Sequence, residues 1–217
     1  MRKIPSEEFD QRVDFFDQMA QSTWLSKLHN KLIDDTGSWS GCNVLDVGCG
    51  TGRFLYRGAT PSTNIFGIDI SKGMIERAKM LSHSYTFHHT PSFLVGDAEE
   101  LPYDEHTFHF VFSTCVVFLL PDPSKALNEM HRTLKQGGRI GLLNPSEHLD
   151  EYVAKEKATQ WGLNKPESDS LLQWGRISRR RHIREEDMKS LFTEAGFSAI
   201  RQYKCLDDIA LISYAVK

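Results

Sequence analysis

Three glycines at alternate positions, Gly48, Gly50 and Gly52, follow the short apolar run Val44-Leu45-Asp46-Val47. Glycine admits left-handed backbone and lets a ligand approach the main chain closely. Asp46 puts a carboxylate inside the run, two residues ahead of the first glycine. A second run, Ile65-Phe66-Gly67-Ile68, ends on Asp69, 23 residues after Asp46, the span of one strand–helix–strand unit. A carboxylate at such a strand tip can accept both hydroxyls of a ribose. A third run, Phe93-Leu94-Val95, ends at Gly96-Asp97-Ala98, and Leu101-Pro102-Tyr103 turns the chain away. Glycine-rich turns of this sort also occur in dinucleotide-binding proteins. Their third glycine, however, would fall at position 53, which is Arg53.

Strands must carry these groups and helices must cover them. Residues 6–35 read as helical, with Trp24, Leu25, Leu28 and Leu32 forming an apolar stripe. Phe54–Arg57 predicts a short helix ended by Gly58 and Pro61, and Ser71 predicts a cap for a helix carrying Met74, Ile75 and Ala78. Residues 82–91 read as a loop, and its three histidines lack a carboxylate or cysteine at metal-ligand spacing. Thr107–Ser113 predicts a fourth strand that continues to Leu120, after which Pro121-Asp122-Pro123 stops it and Ser124 starts a helix. Gly137-Gly138 predicts a turn between that helix and a fifth strand reaching Pro145. Residues 146–183 read as an insertion: a helix from Glu151 to Gly162, a loop over Pro166 to Ser170, then Trp174 and the basic run Arg176–His182. A helix ending at Gly196 and two strands, near 197–204 and 209–216, close the chain.

The pattern Asp46-x-Gly48-x-Gly50-x-Gly52, with Gly96-Asp97-Ala98-x-x-Leu101-Pro102-Tyr103 and Leu134-Lys135-x-Gly137-Gly138, resembles the class I S-adenosylmethionine (SAM)-dependent methyltransferases. The resemblance is to their small-molecule, type 11-like group. It implies an α/β Rossmann-like fold: a seven-stranded, mostly parallel sheet with an antiparallel last strand and helices on both faces. It implies one domain over 1–217, with 1–39 a helical cap and 146–183 a lid. It implies SAM as cofactor and S-adenosylhomocysteine (SAH) as product. The cofactor-binding residues it implies are Asp46, Gly48, Cys49, Gly50, Gly52, Asp69, Ile70, Met74, Asp97, Ala98, Glu99, Ser113 and Thr114. Asp46 would hold the ammonium directly or through water, Asp69 the ribose, and Asp97 with the Ala98 amide the adenine. An amino group needs an acceptor and a ring nitrogen a donor, so that last pairing is chemically apt.

No catalytic residue is assigned. Many relatives carry Glu or His where this chain has Phe118-Leu119-Leu120, which leaves Tyr152 and His148 in the lid as bare candidates. Phe9, Phe15 and Phe16 can close over the cofactor or pack as core. Trp161 and Trp174 can wall an apolar pocket, and the arginines can hold a carboxylate or phosphate or form a solvated turn.

A net charge of -3 gives no polyanion-binding footprint, so the acceptor is read as a small molecule rather than nucleic acid. No apolar run approaches the ~20 residues of a membrane span, and the chain turns acidic at Glu7-Glu8 where a secretory leader would be apolar. Four cysteines without metal spacing suit a reduced cytoplasm, and a monomer or weak dimer is expected. The alternatives are an RNA or protein methyltransferase, a SAM-binding protein without turnover, and a dinucleotide oxidoreductase.

Overall fold

The computed structural model describes residues 4–217, so residues 1–3 of the expected cap lie outside the described residues. Three helices come first: α1 (Ser6–Asp10), α2 (Val13–Gln21) and α3 (Thr23–Thr36). Then β1 (Asn43–Val47), α4 (Arg53–Gly58), β2 (Asn64–Asp69), α5 (Lys72–Ser82), β3 (Ser92–Val95) and β4 (Phe108–Thr114) alternate. They are followed by α6 (Pro123–Thr133), β5 (Leu134–Pro145), α7 (Glu151–Gln160), α8 (Lys165–Arg181), α9 (Glu185–Glu194), β6 (Ser198–Cys205) and β7 (Ala210–Val216). Among the described residues the strands form one seven-stranded sheet in the order β3-β2-β1-β4-β5-β7-β6. Neighbours from β3 to β5 are parallel, and β7 runs antiparallel to both β5 and β6.

Alternation along the strands divides the core. Val44 and Phe112 face a cluster with Trp24, Leu28, Trp39 and Phe54. Leu45, Val47 and Val111 face the other side with Leu127, Met130 and Phe192. The same alternation puts Asp46 on the face of Val44, beneath the N-terminal helices.

Four expected boundaries differ. The fourth strand does not reach Leu120: Cys115 takes a left-handed φ of 61°, and Val117–Leu119 form a 3-10 turn. Val116 leaves the sheet to pack against Gly48, where a Cβ would lie 2.3 Å from its Cγ2. The following helix begins at Pro123 rather than Ser124, because the Asp122 carboxylate accepts from the Lys125 amide at 3.1 Å. The loop expected over Pro166 to Ser170 is the first turn of α8. Asn164 caps it by accepting from the Glu167 amide at 3.0 Å, and proline is tolerated there because a first-turn N–H has no helical partner. The double glycine sits inside β5, at a register shift between its pairings with Phe108 and Phe110.

Three aspartates on α1 and α2 fasten the N-terminal helices to the sheet. Asp10 accepts from the Ser71 hydroxyl and the Gly73 amide at the start of α5. Asp14 meets Arg77 at 2.8 Å. Asp17 accepts from Thr51 at 2.7 Å and takes a two-point contact from Arg53, at 2.9 and 3.0 Å. Burial opposes the Asp17 charge, but Arg53 and Thr51 outweigh it and hold its carboxyl below the usual range. On the other side α8 joins the same roof: Glu167 accepts from the Thr23 amide at 2.7 Å, and Trp174 stacks on Trp24 with centroids 5.1 Å apart.

Removing a largely buried partner strands the remaining charge, at a cost near 3 kcal/mol. Asp17→Ala should therefore lower unfolding stability by about 2 kcal/mol in urea titrations, once residual exposure is allowed for. An unchanged midpoint would show that the helices are not fastened at this point.

Candidate active site

The strand order reverses between β1 and β4, which is where open α/β sheets bind ligands beyond the carboxyl ends of their strands. A cavity of about 1100 Å³ lies there, under α1, α2 and α8. Single-ligand pockets run roughly 300–1,000 Å³. The space lies at the upper end of that range.

The glycine turn is shaped from β2. The amides of Gly48 and Cys49 both donate to the Ile68 carbonyl, at 2.7 and 3.0 Å, and the Gly50 amide donates to Asp69 at 2.9 Å. The other Asp69 oxygen accepts from the Ser71 amide at 2.9 Å. The amides of this turn are therefore spent inside the protein, and what the turn offers a ligand is bare backbone surface. Gly50 has a φ of 50°, and a Cβ there would meet nothing within 4 Å.

Of the sequence-predicted residues, Gly48, Cys49, Gly50, Asp69, Ile70, Met74, Asp97, Ala98 and Thr114 line the cavity. Asp46, Gly52, Glu99 and Ser113 do not. Asp46 is fully buried behind the turn. Gly52 is the left-handed N-cap of α4, with φ 79°. Ser113 donates to the Val47 carbonyl at 2.7 Å and so braces β4 against β1. One buried Glu99 oxygen has no partner among the described residues, while its amide donates to Asp97 at 3.1 Å. The Ala98 amide makes no hydrogen bond to the described residues.

The charge at the strand tips is unbalanced. Neither Asp46 oxygen has a hydrogen-bond partner among the described residues. Burial first, and the nearby Asp69 second, push the Asp46 carboxyl well above the usual range. Asp69 is also raised by burial, an effect partly offset by the Ser71 and Gly50 amides and reinforced by Asp10. Arg53, the basic residue of the turn, is committed to Asp17. These residues fit a ligand that brings a positive charge and a ribose, and they are a poor fit for a pyrophosphate. Among the described residues no cluster of His, Cys, Asp and Glu can hold a metal ion.

A methyltransferase-domain family matches residues 38–196 of the chain. A demethylmenaquinone methyltransferase from Staphylococcus aureus is 30% identical over 181 residues, covering 79% of this chain and 74% of that protein. A SAM-dependent methyltransferase from Aquifex aeolicus shares the fold with a TM-score of 0.69 at 16% identity, covering 99% of each chain. The cyclase SpnF shares it with a TM-score of 0.74 at 16% identity, over 100% of this chain and 98% of its own. The chain belongs to the class I SAM-dependent methyltransferases.

The rest of the methyltransferase cavity is where sequence reading was weakest. Phe9 and Phe16 line it, whereas Phe15 packs under Arg12 with the guanidinium 4.4 Å from its ring centre. Trp174 lines it, whereas Trp161 donates to Asp207 outside at 3.3 Å. Tyr152 is 77% exposed and His148 sits beside Lys204, both away from the cavity. Two groups carry signals the sequence reading missed. His29 lies on the buried side of α3, four residues after Leu25, and both its ring nitrogens lack partners among the described residues. The Trp174 indole N–H is likewise buried and unpartnered.

Burial first, and the Arg57 charge second, hold the His29 imidazole down to about 3. In the unfolded chain the same group takes a proton below about 6.5. Its contribution is therefore complete above pH 6.5, is lost as pH falls through the window down to about 3, and changes no further below that. Urea unfolding at pH 7 and pH 5 should show about 2 kcal/mol of loss that depends on His29. His29→Leu should remove that part of the loss, and an identical pH profile in the variant would contradict a buried neutral imidazole.

Proposed function

We propose that this enzyme transfers the SAM methyl group to a small-molecule acceptor held in the inner half of the cavity. The observation that carries the reading is the acidic strand tips. Asp46 and Asp69 share a dry corner with no cation among the described residues free to offset them, and a cofactor with an ammonium and a sulfonium supplies the missing charge. In this reading the methionine end lies near Asp46, Gly48 and Thr114, the ribose at Asp69, and the adenine at Asp97 and the Ala98 amide. The two Asp69 oxygens each already accept one backbone N–H, and each keeps a lone pair for a ribose hydroxyl.

Bound there, SAM supplies a methyl group on an activated leaving group, which an acceptor O, N, S or C nucleophile displaces directly. The protein's own part is alignment and exclusion of water. In this reading the described part of the cap, residues 4–39, and the lid, residues 146–183, cover the cavity. Met19, Leu25, Phe118 and Trp174 give the acceptor half an apolar wall, and His29 and the Trp174 indole are its unpaired polar groups. A cavity of this size with an apolar wall suits a small molecule better than a polymer, and the S. aureus relative is named for one.

Calorimetry with SAH and NAD side by side tests the cofactor assignment. SAH should bind and NAD should not, and tight NAD binding without SAH binding would end this reading. Asp69→Ala should weaken SAH by ~10-fold or more, since two charge-assisted hydrogen bonds and the anchor of the glycine turn go together. Asp46→Asn should act in opposite directions on two measurements. It should weaken SAH by about 10-fold while leaving the free protein at least as stable at pH 8, because an unpaired buried charge is removed. Loss of stability together with unchanged SAH affinity would give Asp46 a purely structural role.

A further inference from the structure

The cavity also has a basic wall. α8 presents Arg176, Ile177 and Arg180 on one face, at helical spacing, and Arg179 beside them; all four line the cavity. Arg12 of α2 lines it as well. These arginines differ in what occupies them. Arg176 is held by Glu151 at 2.7 Å, and Arg181 donates to the Leu119 carbonyl at 2.9 Å. Arg12 lies over the rings of Phe15 and Phe16 and makes no side-chain hydrogen bond or ion pair with the described residues. Arg180 makes no hydrogen bond or ion pair with the described residues. Arg179 feels Glu151 only through its field. Of the acids on this cavity wall, Glu151 is already bound to Arg176, and Glu8 makes no ion pair with these arginines.

Phe16, Met19, Leu25, Phe118, Trp174 and Ile177 add an apolar wall to the same cavity. A cavity with an apolar wall and an uncommitted, exposed guanidinium pair suits a ligand of matching polarity. Guanidinium groups bind carboxylate and phosphate through paired N–H donors.

We propose that the methyl acceptor is an anionic amphiphile: an apolar body in the inner chamber, with a carboxylate or phosphate held by Arg179 and Arg180. This rests on the methyltransferase reading above and adds the chemical class of the acceptor. The anion is a recognition handle and takes no part in the displacement, so the nucleophilic atom belongs to the other end of the molecule.

The test uses the full chain and three probes of one tail length: decanoate, decyl phosphate and 1-decanol, each titrated into protein saturated with SAH. At least one anionic probe should bind ~10-fold or more tightly than the alcohol. The better of the two identifies the anion as carboxylate or phosphate. In the double variant Arg179→Gln/Arg180→Gln the three affinities should converge to within about threefold, with melting temperature and SAH affinity unchanged. Equal affinities in the unaltered protein, no binding of any probe, or an anion preference that survives the double substitution would each overturn the proposal. Failure of SAH itself to bind would instead overturn the cofactor reading, so the two failures are told apart by the first titration.

Discussion

The Asp69 carboxylate is the junction on which the site depends. One oxygen takes the Gly50 amide and fixes the glycine turn, while the other takes the Ser71 amide and starts α5. Ser71 then passes its hydroxyl to Asp10 of the first helix. A strand tip, a turn, a helix start and the covering helices are thus set by one side chain and its neighbours. The arrangement keeps an acid at the cavity wall with its remaining lone pairs turned to whatever binds there. Its own burial works against it, and only the two amides keep the charge tolerable.

From that junction follows an electrical asymmetry. Acids gather at the strand tips, where Asp46 sits dry and unpaired, and arginines gather along the last turns of α8. A helix C-terminus favours cations, so Arg179 and Arg180 are at ease in their own helix while they line the cavity. Asp46 has no such relief among the described residues. A fold selected for stability alone would not set a carboxylate without a donor beside a second one in a low-dielectric corner, because each raises the cost of the other. The strain is concentrated at the corner proposed for the cofactor's positive charge, and the local conflict points to chemistry rather than to faulty packing.

Much of this was legible beforehand because it rests on short-range rules. The apolar runs, the acid at each strand tip and the glycine spacing marked β1, β2 and β3 and the corner between them. What sequence could not give depended on distant partners. Val116 and Val117 look like strand by their branching, yet the need to pack on Gly48 turns the backbone over at Cys115. Pro166 and the serines around it look like a loop, yet Asn164 turns them into a first helical turn. The glycines promised close approach of a ligand to the main chain, but that β2 takes up the Gly48, Cys49 and Gly50 amides was not visible. His29 was hidden because a single polar residue in an apolar stripe is ordinary; its meaning came only from the cavity beside it.

The covering helices are not held evenly. Asp14 is 80% exposed, so its pair with Arg77 contributes at most about 1 kcal/mol. Asp17 is only 10% exposed, grips Arg53 at two points and also takes the Thr51 hydroxyl. The firm attachment therefore falls on the glycine turn itself, and the weak one on the outer face of α5. Because Arg53 is the residue that replaces the third glycine of a dinucleotide fingerprint, the departure from that fingerprint has a structural use: it supplies the cation that anchors the cap. Had Arg53 been free it would have offset the charge of the acidic corner. Locked to Asp17, it fastens the roof and leaves the corner negative.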